Sequence, residues 1–288
     1  MPRILAISSY VASGHVGLAA IVPALQALGH DVAAVPTIVL SRHPGHRASA
    51  GAPLAPDQFQ ALVDQIVESA ADEPFAAIIT GYMPSARHVE IAAMAVAELQ
   101  RFKTTPFLCD PIIGDAPKGL YVDQSVAASM RDLLLPIADF ATPNAFELSW
   151  LTQQPTATVE EALRAAEELP VSEVVATSVP HGSGRIANVL ANTFESCVCD
   201  VPLLQSVPHG TGDLFSALLL GHLISNGKPL PDALACATAA TRAIIEASLG
   251  RSELALVGNL ANALAAEPAP IQPAAEASGR QPGKLTQH

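Results

Sequence analysis

The chain has 288 residues, half of them hydrophobic and 15% charged, with a formal net charge of -12. That length can bury one sizeable core, or two at most. The acidic balance, with no Lys/Arg cluster, excludes a nucleic-acid binder and disfavours an anionic membrane surface, and no apolar run approaches the roughly 20 residues of a membrane span.

In chain order, Arg3 to Ser8 reads as a buried strand, Gly17 to Leu28 as a helix and Asp31 to Pro36 as a second strand. Ser41 to Pro53 is polar and rich in Gly, His and Pro, the composition of a flexible binding loop. Asp57 to Ala71 is helical, Phe75 to Thr80 a buried strand, and Ala86 to Phe102 an amphipathic helix. Pro106 to Cys109 is a strand that ends at Asp110, and a helix covers Ser125 to Leu135. Phe140 to Thr142 is a short strand before a helix opened by Pro143, with Asn144 and Glu147 in its first turn. Thr158 to Leu169 is helical and Val174 to Ser178 is a strand. Ile186 to Leu190 and Phe194 to Val201 form a hairpin or edge pair. Two more helices follow, one from Gly210-Thr211-Gly212-Asp213 and one over Leu230 to Ala247. The expectation is one domain over 1–266 and a disordered Pro-, Ala- and Gln-rich tail over 267–288.

Alternating strands and helices predict an α/β fold with a mostly parallel central sheet flanked by helices. The middle strands are continuous apolar runs, as expected when both sheet faces are covered. Ligands of such sheets collect beyond the carboxyl ends of the strands. Ser9, Tyr82, Asp110, Thr142, Asn144, Thr177 and Ser178 all follow strands at that rim.

The most informative run is Gly210-Thr211-Gly212-Asp213 before an apolar helix. Its glycines allow a sharp turn, and the helix N-terminus offers unpaired N–H groups to an anion. A carboxylate there suits proton removal from a hydroxyl while the backbone stabilises a transferring phosphoryl group. Mg²⁺ takes oxygen ligands and keeps several waters, which suits Asp115 with a water-bridged Asp110 or Glu147. His43 and His46 read as solvated loop residues and His222 as a satisfied core histidine. The four cysteines read as reduced thiols in a cytosol: no secretory leader is visible, and one residue between Cys197 and Cys199 is poor zinc spacing.

Six blocks in order carry a resemblance over roughly residues 3 to 250. They are Ile7 to Gly17, Leu40 to His43, Thr80-Gly81-Tyr82, Cys109 to Asp115, Thr142 to Glu147 and Gly210 to Ser216. Through them the chain resembles the pyridoxal kinases of the ribokinase-like superfamily, in a three-layer form with no separate lid domain. The resemblance implies ATP-dependent phosphorylation of the 5′-hydroxyl of pyridoxal, with pyridoxine and pyridoxamine as further substrates. It implies that Asp213 is the base in the Gly210, Thr211, Gly212 anion hole, that Ser9 bonds the pyridine ring, and that Tyr82 lies beside that pocket. The segment from Val39 to Gly45, including His43 and Pro44, would close over the vitamer. Asp110, Thr142 and Glu147 would hold K⁺ or Na⁺ and the ATP phosphates, and Asp115 would help hold Mg²⁺. Tyr121, Asn144, Thr177 and Ser178 would contact the nucleotide, and the protein would be a homodimer. Tyr10 and Arg42-His43-Pro44 depart from the family's usual His and Asn-His-Thr, which bears on vitamer preference. Two alternatives stand beside this reading. One is a hydroxymethylpyrimidine kinase of the same fold, whose relatives resemble a Gly-Thr-Gly-Cys motif that Asp213 argues against. The other is a non-catalytic vitamer-binding protein.

Overall fold

A computed structural model describes residues 1–277 apart from 47, 103–104 and 193–195. The elements run in order β1 (Arg3–Val11), α1 (Leu18–Ala27), β2 (Asp31–Leu40), β3 (Gly51–Pro53), α2 (Pro56–Ser69), β4 (Ala77–Thr80), α3 (Ala86–Phe102) and β5 (Phe107–Cys109). Next come β6 (Gly114–Asp115), β7 (Gly119–Leu120), α4 (Gln124–Ser129), β8 (Phe140–Ala141), α5 (Ala145–Thr152), α6 (Val159–Glu167) and β9 (Glu173–Pro180). The chain ends with β10 (Arg185–Ala191), β11 (Cys197–Pro202), α7 (Thr211–Asn226), α8 (Leu230–Ser248), α9 (Leu260–Leu264), β12 (Gln272–Pro273) and α10 (Ala274–Ala277).

The central sheet has the order β12-β11-β10-β9-β8-β5-β4-β1-β2-β3. Strands β2, β1, β4, β5, β8 and β9 are mutually parallel, and β10, β11, β12 and β3 add antiparallel edges. The parallel strands carry side chains such as Ile4, Leu5, Ile78, Ile79 and Phe107 that are fully buried, because apolar layers cover both faces. One layer is built on α2, α3, α4, α5 and α6, the other on α1, α7, α8 and α9. The strand order reverses between β2 and β4, on either side of β1. That is a topological switch point, where the carboxyl ends of the strands leave a crevice.

Three expectations are corrected. The Ser41–Pro53 segment is not loop throughout: β2 runs to Leu40, and Gly51–Pro53 returns antiparallel along Ile38–Leu40. The helix expected over Ser125–Leu135 is α4 followed by a π-turn (Met130–Leu134) and a 3₁₀ turn (Leu135–Ile137). Pro136 lacks the N–H that a continuing α-helix needs there. The expected disordered tail is structured over its first part. Gln272–Pro273 pairs with Cys197–Val198, the Ala274 N–H donates to the Ser196 carbonyl, and the Ala274 side chain is buried. Residues 278–288 of that tail lie outside the described residues, as does Phe194 of the expected hairpin.

Candidate active site

Helix α7 begins at the switch-point rim. Gly210 caps it at φ +96°, and a Cβ there would collide with the His15 carbonyl, so only glycine makes this turn. Leu214 N–H donates to the Gly210 carbonyl at 3.0 Å, and the earlier N–H groups of the turn have no intrahelical acceptor. Asp213 is buried in the first turn. The N–H groups of Gly17 and of Asp213 itself donate to its carboxylate, and Oδ1 has no partner among the described residues. Burial pushes its pKa up to about 6 against those two donors, below neutral pH.

Ser9 comes to this point from β1. The register against β2 shifts between Ser8 and Tyr10, and Gly17, at φ +56°, packs so closely on Ser9 that a Cβ would overlap its carbonyl and hydroxyl oxygens. The same Gly17 supplies the N–H to Asp213, so the turn before α1 ties Ser9 to that carboxylate. The neighbouring Ser8 is fully buried, and its Oγ accepts from Tyr82 N–H at 3.2 Å. The Tyr82 carbonyl accepts from Thr37 Oγ1 at 2.8 Å, and burial with the Asp123 carboxylate raises the phenol pKa.

Asp110 leaves β5 into a buried network. Ser216 Oγ donates to Asp110 Oδ2 at 2.8 Å and lies 2.8 Å from Thr142 Oγ1. With its one proton given to Asp110, Ser216 accepts from Thr142. Burial, then repulsion from Asp213, pushes the Asp110 pKa up to about 8 despite these bonds.

Glu147 is fixed by helix capping. Asn144 Oδ1 accepts from Glu147 N–H and Glu147 Oε2 accepts from Asn144 N–H, both at 2.9 Å, a reciprocal capping box. Glu147 Oε1 also accepts from the N–H groups of Ile113 and Gly114 at 3.0 and 3.3 Å, and Asn144 Nδ2 donates to the Gly114 carbonyl at 2.9 Å. Burial and the Asp110 charge hold the Glu147 pKa well above the carboxylate range. The β6–β7 hairpin then presents Asp115, which is exposed. Tyr121 follows it, with burial and the Asp115 and Glu147 charges raising its phenol. Thr177 N–H donates to the Pro143 carbonyl and Thr177 bridges Asn144. Ser178 is exposed at φ +57° beside it.

The expected site residues therefore fall into one connected core and two flanks. Asp213, Asp110, Thr142 and Glu147 share the core. Asp115, Tyr121, Asn144, Thr177 and Ser178 form one flank; Ser9 and Tyr82 form the other. The expected cation set of Asp110, Asp115, Thr142 and Glu147 is not a closed cage: among the described residues no three or more His, Cys, Asp or Glu side chains are grouped to hold a metal. The donors nonetheless fit a hard cation. All are oxygens, and like charge raises both buried carboxylates, Asp213 acting on Asp110 and Asp110 on Glu147, in a way a cation between phosphate and protein would relieve.

The loop between β2 and β3 departs from its expectation. His43 and His46 are not simply solvated: the His43 ring stacks on His209 at 3.9 Å between centroids, and His46 Nε2 lies 2.8 Å from Glu253 Oε1. Gly45 N–H donates to His43 Nδ1 at 3.1 Å. Burial, with His209, His46 and Lys118 nearby, lowers His43 to about 4, so it accepts that bond as a neutral ring. Pro44 and Gly45 are exposed in this loop, with Gly45 close to the His209 and His43 rings.

Sequence reasoning missed four contributors. Ser216 could have been found, since it lies three residues after Asp213 on the same helix face. Ser8 precedes the expected Ser9 and points to the opposite side of the strand. His209 and Glu253 carried no local signal and reach the lid only through tertiary packing.

A doubly wound sheet with a carboxylate at a glycine-led helix N-terminus, beside a buried carboxylate pair, defines a ribokinase-like α/β protein. Residues 12–256 match the family described as phosphomethylpyrimidine kinase, and the chain belongs to that family. Pyridoxal kinase PdxY of Corynebacterium diphtheriae is 33% identical over 251 residues, spanning 85% of this chain and 88% of its own. The pyridoxal kinase of Entamoeba histolytica superposes with a TM-score of 0.88 at 28% identity, over 95% of this chain and 99% of that one. The Leishmania donovani pyridoxal kinase in complex with ADP and pyridoxamine also gives 0.88, at 26% identity and the same two coverages.

Proposed function

We propose that this protein is a pyridoxal kinase, which transfers the γ-phosphoryl group of ATP to the 5′-hydroxyl of pyridoxal, pyridoxine or pyridoxamine. The observation that carries the reading is Asp213: buried, ionised at neutral pH, and holding one unpartnered oxygen at the N-terminus of α7. Similarity to kinases captured with ADP and a vitamer supports the choice of substrates.

Asp213 Oδ1 accepts the proton of the vitamer hydroxyl as its oxygen attacks the γ-phosphorus. The bond from that phosphorus to the β–γ bridging oxygen breaks, and ADP leaves with the electron pair. The N–H groups at Gly210–Gly212 face the charge that spreads over the transferring oxygens. Ser9 and Tyr82 orient the ring, and the lid segment with His43, Pro44 and Gly45 excludes water. Asp110, Asp115, Thr142 and Glu147 would hold Mg²⁺ and a K⁺ or Na⁺ ion, which when bound offset phosphate charge. Tyr121, Asn144, Thr177 and Ser178 border the nucleotide. We further assign a homodimer, on family resemblance, and a cytoplasmic location; no described helix is long and apolar enough to cross a membrane.

The family description favours one second reading, a hydroxymethylpyrimidine kinase. Purified protein given ATP, Mg²⁺ and K⁺ with each of pyridoxal, pyridoxine, pyridoxamine and hydroxymethylpyrimidine separates the two. Pyridoxal 5′-phosphate formation that falls roughly 10²–10⁴-fold in Asp213→Asn is expected. Phosphorylation of the pyrimidine alone would transfer the function to that second reading. Tight vitamer binding without ADP release would make this a binding protein.

A further inference from the structure

The histidines reverse their expected roles. His222, read as a satisfied core residue, is buried with neither ring nitrogen partnered among the described residues. His46, read as solvated, is held by a segment remote in sequence. Its Nε2 lies 2.8 Å from Glu253 Oε1, and the two side chains are 23% and 31% exposed. Glu253 stands in the connection between α8 and α9. Its carboxylate also packs on the turn between β1 and α1, where Gly14 has φ +104° and a Cβ would collide with Glu253 Oε2. One carboxylate therefore touches both loops that leave the carboxyl ends of β1 and β2.

Those two loops are joined at their bases by backbone bonds. The N–H groups of Ala12 and Ser13 donate to the Leu40 and Ser41 carbonyls at 2.8 and 3.0 Å. Within the β2–β3 loop, Ala50 N–H donates to Ser41 Oγ at 2.9 Å and Ser49 Oγ donates to the Arg42 carbonyl at 2.6 Å. These bonds close the base of the loop and leave the position of its tip open. The tip is placed by His43 on His209 and by His46 on Glu253. His209 immediately precedes Gly210, which opens the Asp213 turn. A tip fixed on these partners therefore stands beside that turn. The Glu253 charge reaches His209 as well, so one carboxylate faces both anchoring points.

We propose that Glu253 is a positioning residue for phosphoryl transfer: through His46 it holds the tip of the β2–β3 loop where the loop covers the vitamer, and it touches no substrate itself. The consequence for catalysis rests on the kinase reading; the clamp rests on the contacts alone. A loop already held in its covering position costs the incoming vitamer less ordering free energy, while Asp213 and its anion hole are unchanged. A pair this exposed shifts an equilibrium by about two- to fivefold, which sets the size of the effect.

The test compares the full-length wild type with Glu253→Ala, His46→Ala and the double variant. Without any ligand, trypsin cleavage after the exposed Arg42 should run about two- to fivefold faster in each variant, because the tip leaves the body more often. With ATP and Mg²⁺, the KM for pyridoxal should rise by about the same factor, with kcat and the KM for ATP unchanged. The double variant should match either single one, because both substitutions remove the same contact. Cleavage at the wild-type rate in Glu253→Ala would overturn the clamp. An unchanged pyridoxal KM, a fall confined to kcat, or effects that multiply in the double variant would overturn the positioning role. Faster cleavage in a protein whose wild type does not phosphorylate pyridoxal would keep the clamp and overturn the kinase reading, with the role built on it.

Discussion

Asp213 and Asp110 are both buried carboxylates at one rim, yet their surroundings drive them apart. Asp213 takes two backbone N–H bonds and stays near pKa 6; Asp110 faces its charge and rises to about 8. The base must be ionised to accept a proton, so kcat/KM is expected to fall as pH drops through about 6. In a pH series from 5 to 8 that acid limb should disappear in the residual activity of Asp213→Asn; a limb that persists would assign it to another group. Asp110 binds its proton more tightly folded than unfolded, so its contribution to stability is complete below about pH 4 and is lost as pH rises through about 8. Asn cannot ionise and still accepts from Ser216. Asp110→Asn should therefore raise the thermal midpoint at pH 8, by about 2–4 °C for each kcal/mol recovered. The gain should vanish near pH 4. A variant less stable than wild type at pH 8 would refute the burden assigned to this carboxylate.

At the scale of elements, α5 couples local capping to the site. Its N-cap Asn144 bonds Glu147 and also holds the Gly114 carbonyl of the β6–β7 hairpin. One side chain therefore fixes a helix start, a buried carboxylate and the strand that presents Asp115. Asn144→Ala should cost about 1–2 kcal/mol in urea unfolding, and should raise the KM for ATP more than it lowers kcat. A change in kcat alone would show that the cap does not position the nucleotide. The lid behaves differently. Its contacts, His43 on His209 and His46 with Glu253, join three segments remote in sequence, so two rings anchor a loop whose Arg42, Pro44 and Gly45 stay exposed.

Across the whole molecule, the sheet closes its β11 edge with the chain's own end. Gln272–Pro273 pairs there and Ala274 packs into the core layer that includes α6. A chain stopped after residue 270 exposes the backbone groups of Cys197 and Val198, an edge prone to pairing with other chains. Such a truncation should lower the thermal midpoint and bring concentration-dependent association in sedimentation. A midpoint and sedimentation profile matching the full-length protein would show that β12 contributes nothing.

What the sequence by itself determined was whatever is encoded locally. Alternation of apolar runs with helical periodicity marked the parallel strands and their helices, and the Gly210–Asp213 run marked the start of α7, because turn geometry and capping depend on neighbours a few residues apart. The strand-end polar residues were legible for the same reason, down to Asn144 and Glu147 in one helical turn. Tertiary structure alone decided the rest. β12 is a two-residue strand whose only reason to exist is the partner β11, so Pro and Ala in its surroundings read as tail. His209 and Glu253 acquire a role only where the lid meets them. The raised pKa values of Asp110, Glu147 and Asp213 come first from burial, with Asp213 repelling Asp110 and Asp110 repelling Glu147 across α7, β5 and α5, long-range quantities that no local pattern carries.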